Sequence, residues 1–108
     1  METWILMADE AQASLLVQSS YGPFYEIEQW RRQQHSVERF AEEVVTRVQS
    51  LQSHFDALVM AAPPQVLDQL GRAIPAELQG KVKAQHARYL THLSQRELRQ
   101  ELAPLCAN

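Results

Sequence analysis

The segment Thr3-Trp4-Ile5-Leu6-Met7-Ala8-Asp9-Glu10 predicts the centre of the fold, because an uncharged, mostly apolar run of strand length is followed at once by two acids. An uninterrupted apolar strand needs cover on both of its faces, so this run predicts a central strand and not an edge. The segment Ala57–Ala62 is a second run of the same kind. We therefore expect these two strands to lie side by side in the middle of one sheet.

The residues after Glu10 alternate between apolar and polar, with Ala13, Leu15 and Val17 on one face. Such alternation is typical of a strand with one wet face. Because the connection at Asp9 and Glu10 is too short for a crossover, we expect an antiparallel hairpin. Residues 24–30 alternate again, which places Glu26 and Glu28 on one face and suits an exposed edge strand.

From Ser36 onward the apolar period changes from two to between three and four, which predicts a helix with Ser36 as its N-cap. A second helix is expected after Pro63 and Pro64, where proline fits the first turn. A last strand is predicted from Val82 to Leu90. The final helix should start at Ser94, which has the spacing of a capping box with Glu97.

The predicted order of elements is three strands, a helix, a strand, a helix, a strand and a helix. Right-handed crossovers then give a single mixed five-stranded sheet of order 3-2-1-4-5, the ribonuclease H-like α/β arrangement, with three helices on its faces. At 108 residues the chain has room for one core. We expect one domain over residues 1–108.

Composition narrows the classes of function. A net charge of −3 argues against tight nonspecific nucleic-acid binding, although a local basic patch stays open. Cys106 is the single cysteine, so neither an intramolecular disulfide nor a thiolate metal site is expected within one chain. The first apolar run is too short for a membrane span or a signal peptide. These features predict a cytoplasmic protein without a cofactor.

Three segments together carry a resemblance to a known family: Thr3-Trp4-Ile5-Leu6-Met7-Ala8-Asp9-Glu10-Ala11-Gln12-Ala13; Phe40-Ala41-Glu42-Glu43-Val44 with Phe55-Asp56-Ala57-Leu58-Val59-Met60-Ala61-Ala62-Pro63; and Leu90-Thr91-His92-Leu93-Ser94. They resemble the bacterial host attachment protein family, whose name reports a phenotype more than a chemistry. That family is similar to the middle domain of eukaryotic and archaeal class 1 release factors and of Pelota, which act on terminating or stalled ribosomes. The resemblance therefore implies a role around translation.

The chain departs from those relatives ahead of its first helix. Release factors carry a Gly-Gly-Gln loop there that enters the peptidyl-transferase centre, and typical attachment proteins carry a long polar insertion. Here the connection is only Gln29-Trp30-Arg31-Arg32-Gln33-Gln34-His35-Ser36, without glycine. We interpret the chain as a non-catalytic interaction domain, with no catalytic residue assigned. The alternative is an enzyme of ribonuclease H-like fold, either a metal-dependent nuclease or a hydrolase.

Two candidate sites lie at the predicted carboxyl ends of strands. Asp9 stands where ribonuclease H-like nucleases carry a metal-binding carboxylate, but such chemistry needs further converging acids, and a turn role satisfies the same position. Thr91 and His92 follow the last strand, where open α/β sheets bind ligands. They are candidates to contact a phosphate or an acidic group, or else they order the turn before the helix.

Basic and aromatic residues form the remaining candidates. Trp30 with Arg31 and Arg32 is one basic cluster, to which Arg39 adds a charge. A second cluster contains Lys81, Lys83, Arg88, Arg96 and Arg99. Such residues grip RNA backbones and stack bases, so contact with RNA or the ribosome is a hypothesis beside a plain solvated surface. Phe24 and Trp30, if they share the outer face, form an aromatic patch for a homodimer.

Overall fold

The structure is a computed structural model that describes residues 2–18 and 24–106, with side chains described to residue 104. The strands are β1 (Thr3–Ala8), β2 (Gln12–Gln18), β3 (Phe24–Arg31), β4 (Ala57–Ala62) and β5 (Val82–Ala87). The helices are α1 (Val37–Ser50), α2 (Pro64–Ala73), the single turn α3 (Ala76–Gln79) and α4 (Gln95–Cys106). A short 3-10 segment, Gln52–His54, precedes β4.

The strands form one mixed sheet of order β3-β2-β1-β4-β5, as predicted. β1 pairs antiparallel with β2 and parallel with β4, and Ile5 lies opposite Val59 in the parallel pair. Every residue of β4 is buried, since this strand lies inside the sheet with both of its faces covered. The two apolar runs of the sequence are therefore neighbours at the centre of the sheet.

Helices cover both faces of the sheet and divide the core in two. On one face, Leu6 of β1 belongs to a cluster with Val44 of α1 and Leu70 of α2. On the other face, Ile5 belongs to a cluster with Leu102 of α4. We refer to these as the α1/α2 face and the α4 face.

The prediction that β2 has one wet face is wrong. Leu16 and Ser14, which alternate with the apolar positions of β2, are only 2% and 6% exposed. Leu16 belongs to the α4-face cluster, together with Leu98 and Leu102. The second face of β2 is therefore buried because α4 packs over it, a tertiary effect that the local alternation does not encode.

A β-bulge in β3 corrects the predicted arrangement of its acids. Leu16 pairs with Glu26 and the next residue, Leu15, pairs with Glu28, so that Ile27 is an extra residue without a partner on β2. Glu26 and Glu28 consequently point to opposite faces of the sheet. Glu28 turns toward α1, where the Nε of Arg47 donates to its carboxylate at 2.9 Å.

The same bulge removes the predicted aromatic patch. Phe24 and Trp30 lie on opposite sides of the extra residue, so they face opposite ways: Phe24 is 2% exposed within the α4-face core, and Trp30 is half-buried against the α1/α2-face core. Tyr25, at 58% exposure, is the exposed ring of this strand. A homodimer through the β3 edge stays a prediction, without the patch on which it rested.

Local signals set the helix starts as expected. The Ser36 side chain accepts from the Arg39 amide at 3.1 Å, which caps α1. The predicted last strand, in contrast, ends at Ala87 instead of Leu90, because the Arg88 amide bonds to the His86 carbonyl at 2.9 Å and turns the chain. Leu90 then packs under α4. No helix within residues 24–106 has both the length and the apolar character needed to cross a membrane.

Candidate functional site

Asp9 follows β1 at the carboxyl edge of the parallel strands and is 8% exposed. Its Oδ1 accepts from the amides of Ala11 at 2.7 Å and Gln12 at 2.9 Å. The Asp9 amide donates to the Gln12 carbonyl at 2.8 Å. A short side chain that accepts from the amides two and three residues ahead orders a turn. The carboxylate therefore shapes the hairpin between β1 and β2.

Thr91 and Asp9 meet at this edge, although 82 positions separate them in the chain. The Thr91 hydroxyl donates to Oδ2 of Asp9, the carboxylate oxygen that accepts no hydrogen bond from the Ala11 and Gln12 amides. Tyr89 and His92 flank Thr91, and their rings stand 4.4 Å apart between centroids. The segment after β5 is thus tied to the end of β1 by one hydrogen bond.

A cleft of about 380 Å³ opens beside this bond, lined by Asp9, Glu10, Ala11, Pro63 and Tyr89. It lies at the carboxyl ends of β1 and β4, where open α/β sheets bind ligands. The two oxygens of Asp9 already accept three hydrogen bonds from within the chain. Thr91 donates to this carboxylate. The negative charge of Asp9 makes this position unfavourable for the phosphate or acidic group considered for Thr91 and His92.

Neither Glu28 of β3 nor Asp56, which precedes β4, lies beside Asp9 as a second metal ligand would. Glu28 is bonded to Arg47 on the α1/α2 face, at 2.9 Å. Asp56 precedes β4, at the opposite edge of the sheet, and accepts from the Glu2 amide at 2.8 Å. Across residues 2–18 and 24–104, no three side chains of the His, Cys, Asp and Glu types are grouped as a metal ion requires.

Arg32 joins the β1–β2 turn to the connection that leads into α1. Its Nε donates to the Glu10 carbonyl at 2.6 Å, its Nη1 to the His35 carbonyl at 2.9 Å, and its amide to the Ala11 carbonyl at 2.8 Å. These bonds engage the guanidinium in holding two loops together. Arg31 instead lies opposite Gln12 with its side chain exposed.

Most of the remaining basic residues are engaged by other groups. Four of them pair with acids: Arg39 with Glu43, Arg47 with Glu28, Arg72 with Asp68, and Arg88 with Glu101. Lys81 donates to the carbonyls of Gln52 and Phe55 and lies 5.3 Å from the centre of the Phe55 ring. Several members of the two basic clusters are therefore engaged within the chain, whereas Lys83 of β5 and Arg96 and Arg99 of α4 are exposed.

The start of α4 is built on a reciprocal capping box. The Ser94 amide and hydroxyl donate to Oε1 of Glu97 at 3.1 Å and 2.9 Å, and the Glu97 amide donates back to the Ser94 hydroxyl at 3.3 Å. The hydrogen bonds from the Ser94 amide and hydroxyl lower the pKa of Glu97 below its ordinary value of 4.5. Leu93 packs against the α4-face core beside this cap.

We expect acid to loosen the first turn of α4. Because the folded pKa of Glu97 is lowered, its capping contribution is complete above the ordinary value and is lost as the pH falls through the folded pKa. Amide exchange protection of residues 95–98 should therefore decrease at acid pH. This decrease should be smaller in Glu97→Gln and unchanged in Glu38→Gln, which alters an exposed acid of α1. Identical profiles for the wild type and Glu97→Gln would contradict the assignment.

Comparison with known proteins gives one family and one fold. The sequence model of the family described as "Protein required for attachment to host cells" matches residues 18–102. Among solved structures, Pelota of Archaeoglobus fulgidus is similar, with a TM-score of 0.66 and 21% identity over 97% of this chain. A structure described as an archaeal protein follows, with a TM-score of 0.62 and 12% identity over 93% of this chain. No curated protein matches significantly.

This chain matches only part of each of those two structures. This chain spans 31% of the Pelota chain and 34% of the second archaeal chain, about a third of each. At these identities the likeness shows the fold alone. The architecture is thus shared with Pelota, which confirms the similarity predicted from the sequence.

Proposed function

The chain belongs to the family of proteins required for attachment to host cells, and from this membership we propose that residues 1–108 act as one non-catalytic interaction domain that associates with the translation machinery. The fold shared with about a third of an archaeal Pelota supports the direction of this proposal. The resemblance noted from the sequence adds the ribosome as the partner. Such a partner requires a cytoplasmic location, in agreement with the sequence expectation.

The connection between β3 and α1 is the observation that carries the non-catalytic part of the proposal. Only residues 32–36 separate the two elements, and Arg32 ties this segment to the β1–β2 turn through the Glu10 carbonyl. His35 adds a contact of 3.6 Å to Glu43 of α1. A connection this short and this well anchored does not extend from the domain into a distant active centre.

The cleft at the strand ends supports the same conclusion. A general base or a metal ligand needs a lone pair that is available to the substrate or the ion. The carboxylate of Asp9 instead accepts from two amides and from Thr91. The arrangement holds two loops in place, as a binding scaffold requires, and Glu10, the other acid that lines the cleft, is exposed.

Co-sedimentation with purified bacterial ribosomes tests the association. The chain, at micromolar concentration and physiological salt, is expected to pellet with ribosomes in a saturable way. Ribosome-bound peptidyl-tRNA should stay intact in the same mixture, since the connection between β3 and α1 is too short to reach it. A chain that stays wholly in the supernatant would overturn the association, and release of the peptide would overturn the non-catalytic part.

A further inference from the structure

A groove on the outside of α4 contains the exposed pair Arg96 and Arg99. Gln18 at the end of β2, together with Gln100 and Ala103 of α4, completes its lining, and its volume is about 440 Å³. Residues three apart on a helix are neighbours, with their Cβ atoms about 5–6 Å apart. The two guanidinium groups therefore extend from adjacent positions of one helix surface, which we call the α4 groove.

The positive charge of the α4 groove is not balanced within the described part of the chain. No carboxylate of residues 2–18 or 24–104 lies within 4.0 Å of either guanidinium, whereas Arg39, Arg47, Arg72 and Arg88 each have an acidic partner. The neighbouring acids of α4 are engaged elsewhere. Glu97 is bonded to Ser94, and Glu101 is paired with Arg88. Two adjacent cations are thus left for an external anion.

We propose that the α4 groove binds the phosphate backbone of RNA, a step that rests on the proposed association with the translation machinery. Arginine is suited to phosphate because its planar guanidinium donates two parallel hydrogen bonds. Gln18 and Gln100 add amide groups that bond to phosphate or ribose oxygens. The lining holds a single small apolar side chain, Ala103, so the groove favours a charged polar strand over an apolar peptide anchor.

The overall charge sets the expected strength of binding. With a net charge of −3, the chain as a whole repels a polyanion, so that attraction is confined to a local surface. Two phosphate contacts to a single strand correspond to a salt slope of about −1.4 in the logarithm of the binding constant. The α4 groove therefore predicts weak, salt-sensitive contact that adds to other contacts on a ribosome.

The test is a charge reversal with a matched control on the other face of the sheet. In Arg96→Glu/Arg99→Glu, binding of a single-stranded RNA, followed by fluorescence anisotropy, should weaken at least about tenfold and lose most of its salt slope. In the control Arg39→Glu/Arg72→Glu, two exposed arginines of α1 and α2 change by the same charge, and binding should stay within about twofold of the wild type. Circular dichroism and thermal melting verify that both variants are folded.

The possible results distinguish RNA binding by the α4 groove from the association with the translation machinery on which it rests. Equal RNA binding by the wild type and Arg96→Glu/Arg99→Glu, with ribosome association retained, would overturn the α4 groove and leave the association standing. Absence of ribosome association in the wild type would overturn both. Equal losses in the test and control variants would show a general charge effect and would also overturn the α4 groove. Loss of binding to an acidic peptide, with RNA binding unchanged, would assign the groove to a different partner.

Discussion

Replacing Leu102 with alanine is expected to lower the free energy of unfolding by about 3 kcal/mol, within the usual range for a buried leucine. Leu102 is fully buried in α4 and belongs to the cluster that contains Ile5 of β1 and Val59 of β4. The substitution removes apolar atoms from the core and leaves a cavity that the rigid sheet cannot fill. Urea denaturation followed by circular dichroism measures the change.

Gln100→Ala is the matched control for this prediction. Gln100 is exposed on the same helix, so its truncation should change the free energy of unfolding by no more than about 0.5 kcal/mol. A loss below about 1 kcal/mol in Leu102→Ala would mean that α4 does not cover the sheet. The second face of β2 would then be wet, and the position of the α4 groove would be lost with it.

The second large effect is expected at Asp9. Replacement by alanine should cost about 3 kcal/mol, because two amides and the Thr91 hydroxyl lose a charged acceptor at a nearly buried position. Asp9→Asn should cost less, about 1 kcal/mol, since its amide oxygen still accepts from Ala11 and Gln12. Thermal and urea unfolding of the two variants gives both values.

The ranking of these two variants separates a turn role from a metal role. A turn residue predicts the ranking above, and it predicts a melting temperature of the wild type that does not depend on Mg²⁺ or on a chelator. Glu10→Ala, at the exposed next position, should stay within about 0.5 kcal/mol of the wild type. Stabilisation of the wild type by Mg²⁺ that both Asp9 variants abolish equally would contradict the turn role.

The two central strands could be predicted from the sequence because burial on both faces determines their position in the sheet. Strands that are apolar at nearly every position, such as β1 and β4, have no wet face to offer, so they must lie inside the sheet. Their parallel pairing follows from the crossover through α1, and the strand order follows from the hairpin beside β1. The caps at Ser36 and Ser94 could be predicted as well, because a cap is formed by residues close in sequence.

β3 is the edge strand, as predicted, but the faces of its side chains were predicted wrongly because a bulge leaves no mark in this sequence. Neither glycine nor proline occurs within Phe24–Arg31. The alternation in the sequence therefore passes through Ile27 without a break, as it would in a regular strand. One extra residue reverses the faces of everything after it. This reversal buries Phe24 on one side, turns Trp30 to the other, and brings Glu28 to Arg47.

Contacts between distant segments could not be obtained from spacing. The turn role of Asp9 is local and was one of the two interpretations, but its bond to Thr91 joins residues 82 positions apart. The pairing of the basic residues with acids likewise depends on contacts between segments. Arg88 and Arg99 belong to one cluster in the sequence, and only the packing of α4 pairs Arg88 with Glu101 while Arg99 keeps no acid within 4.0 Å in the described residues.

Photo-crosslinking of the wild-type chain to bacterial ribosomes, with nucleotide adducts mapped on its peptides by mass spectrometry, shows which surface of the domain contacts ribosomal RNA. A domain that associates with the translation machinery through the α4 groove should carry adducts on peptides from residues 94–104, and few on α1 or α2. A chain that acquires no adduct in the presence of ribosomes, or acquires them only on α1 and α2, would contradict the account.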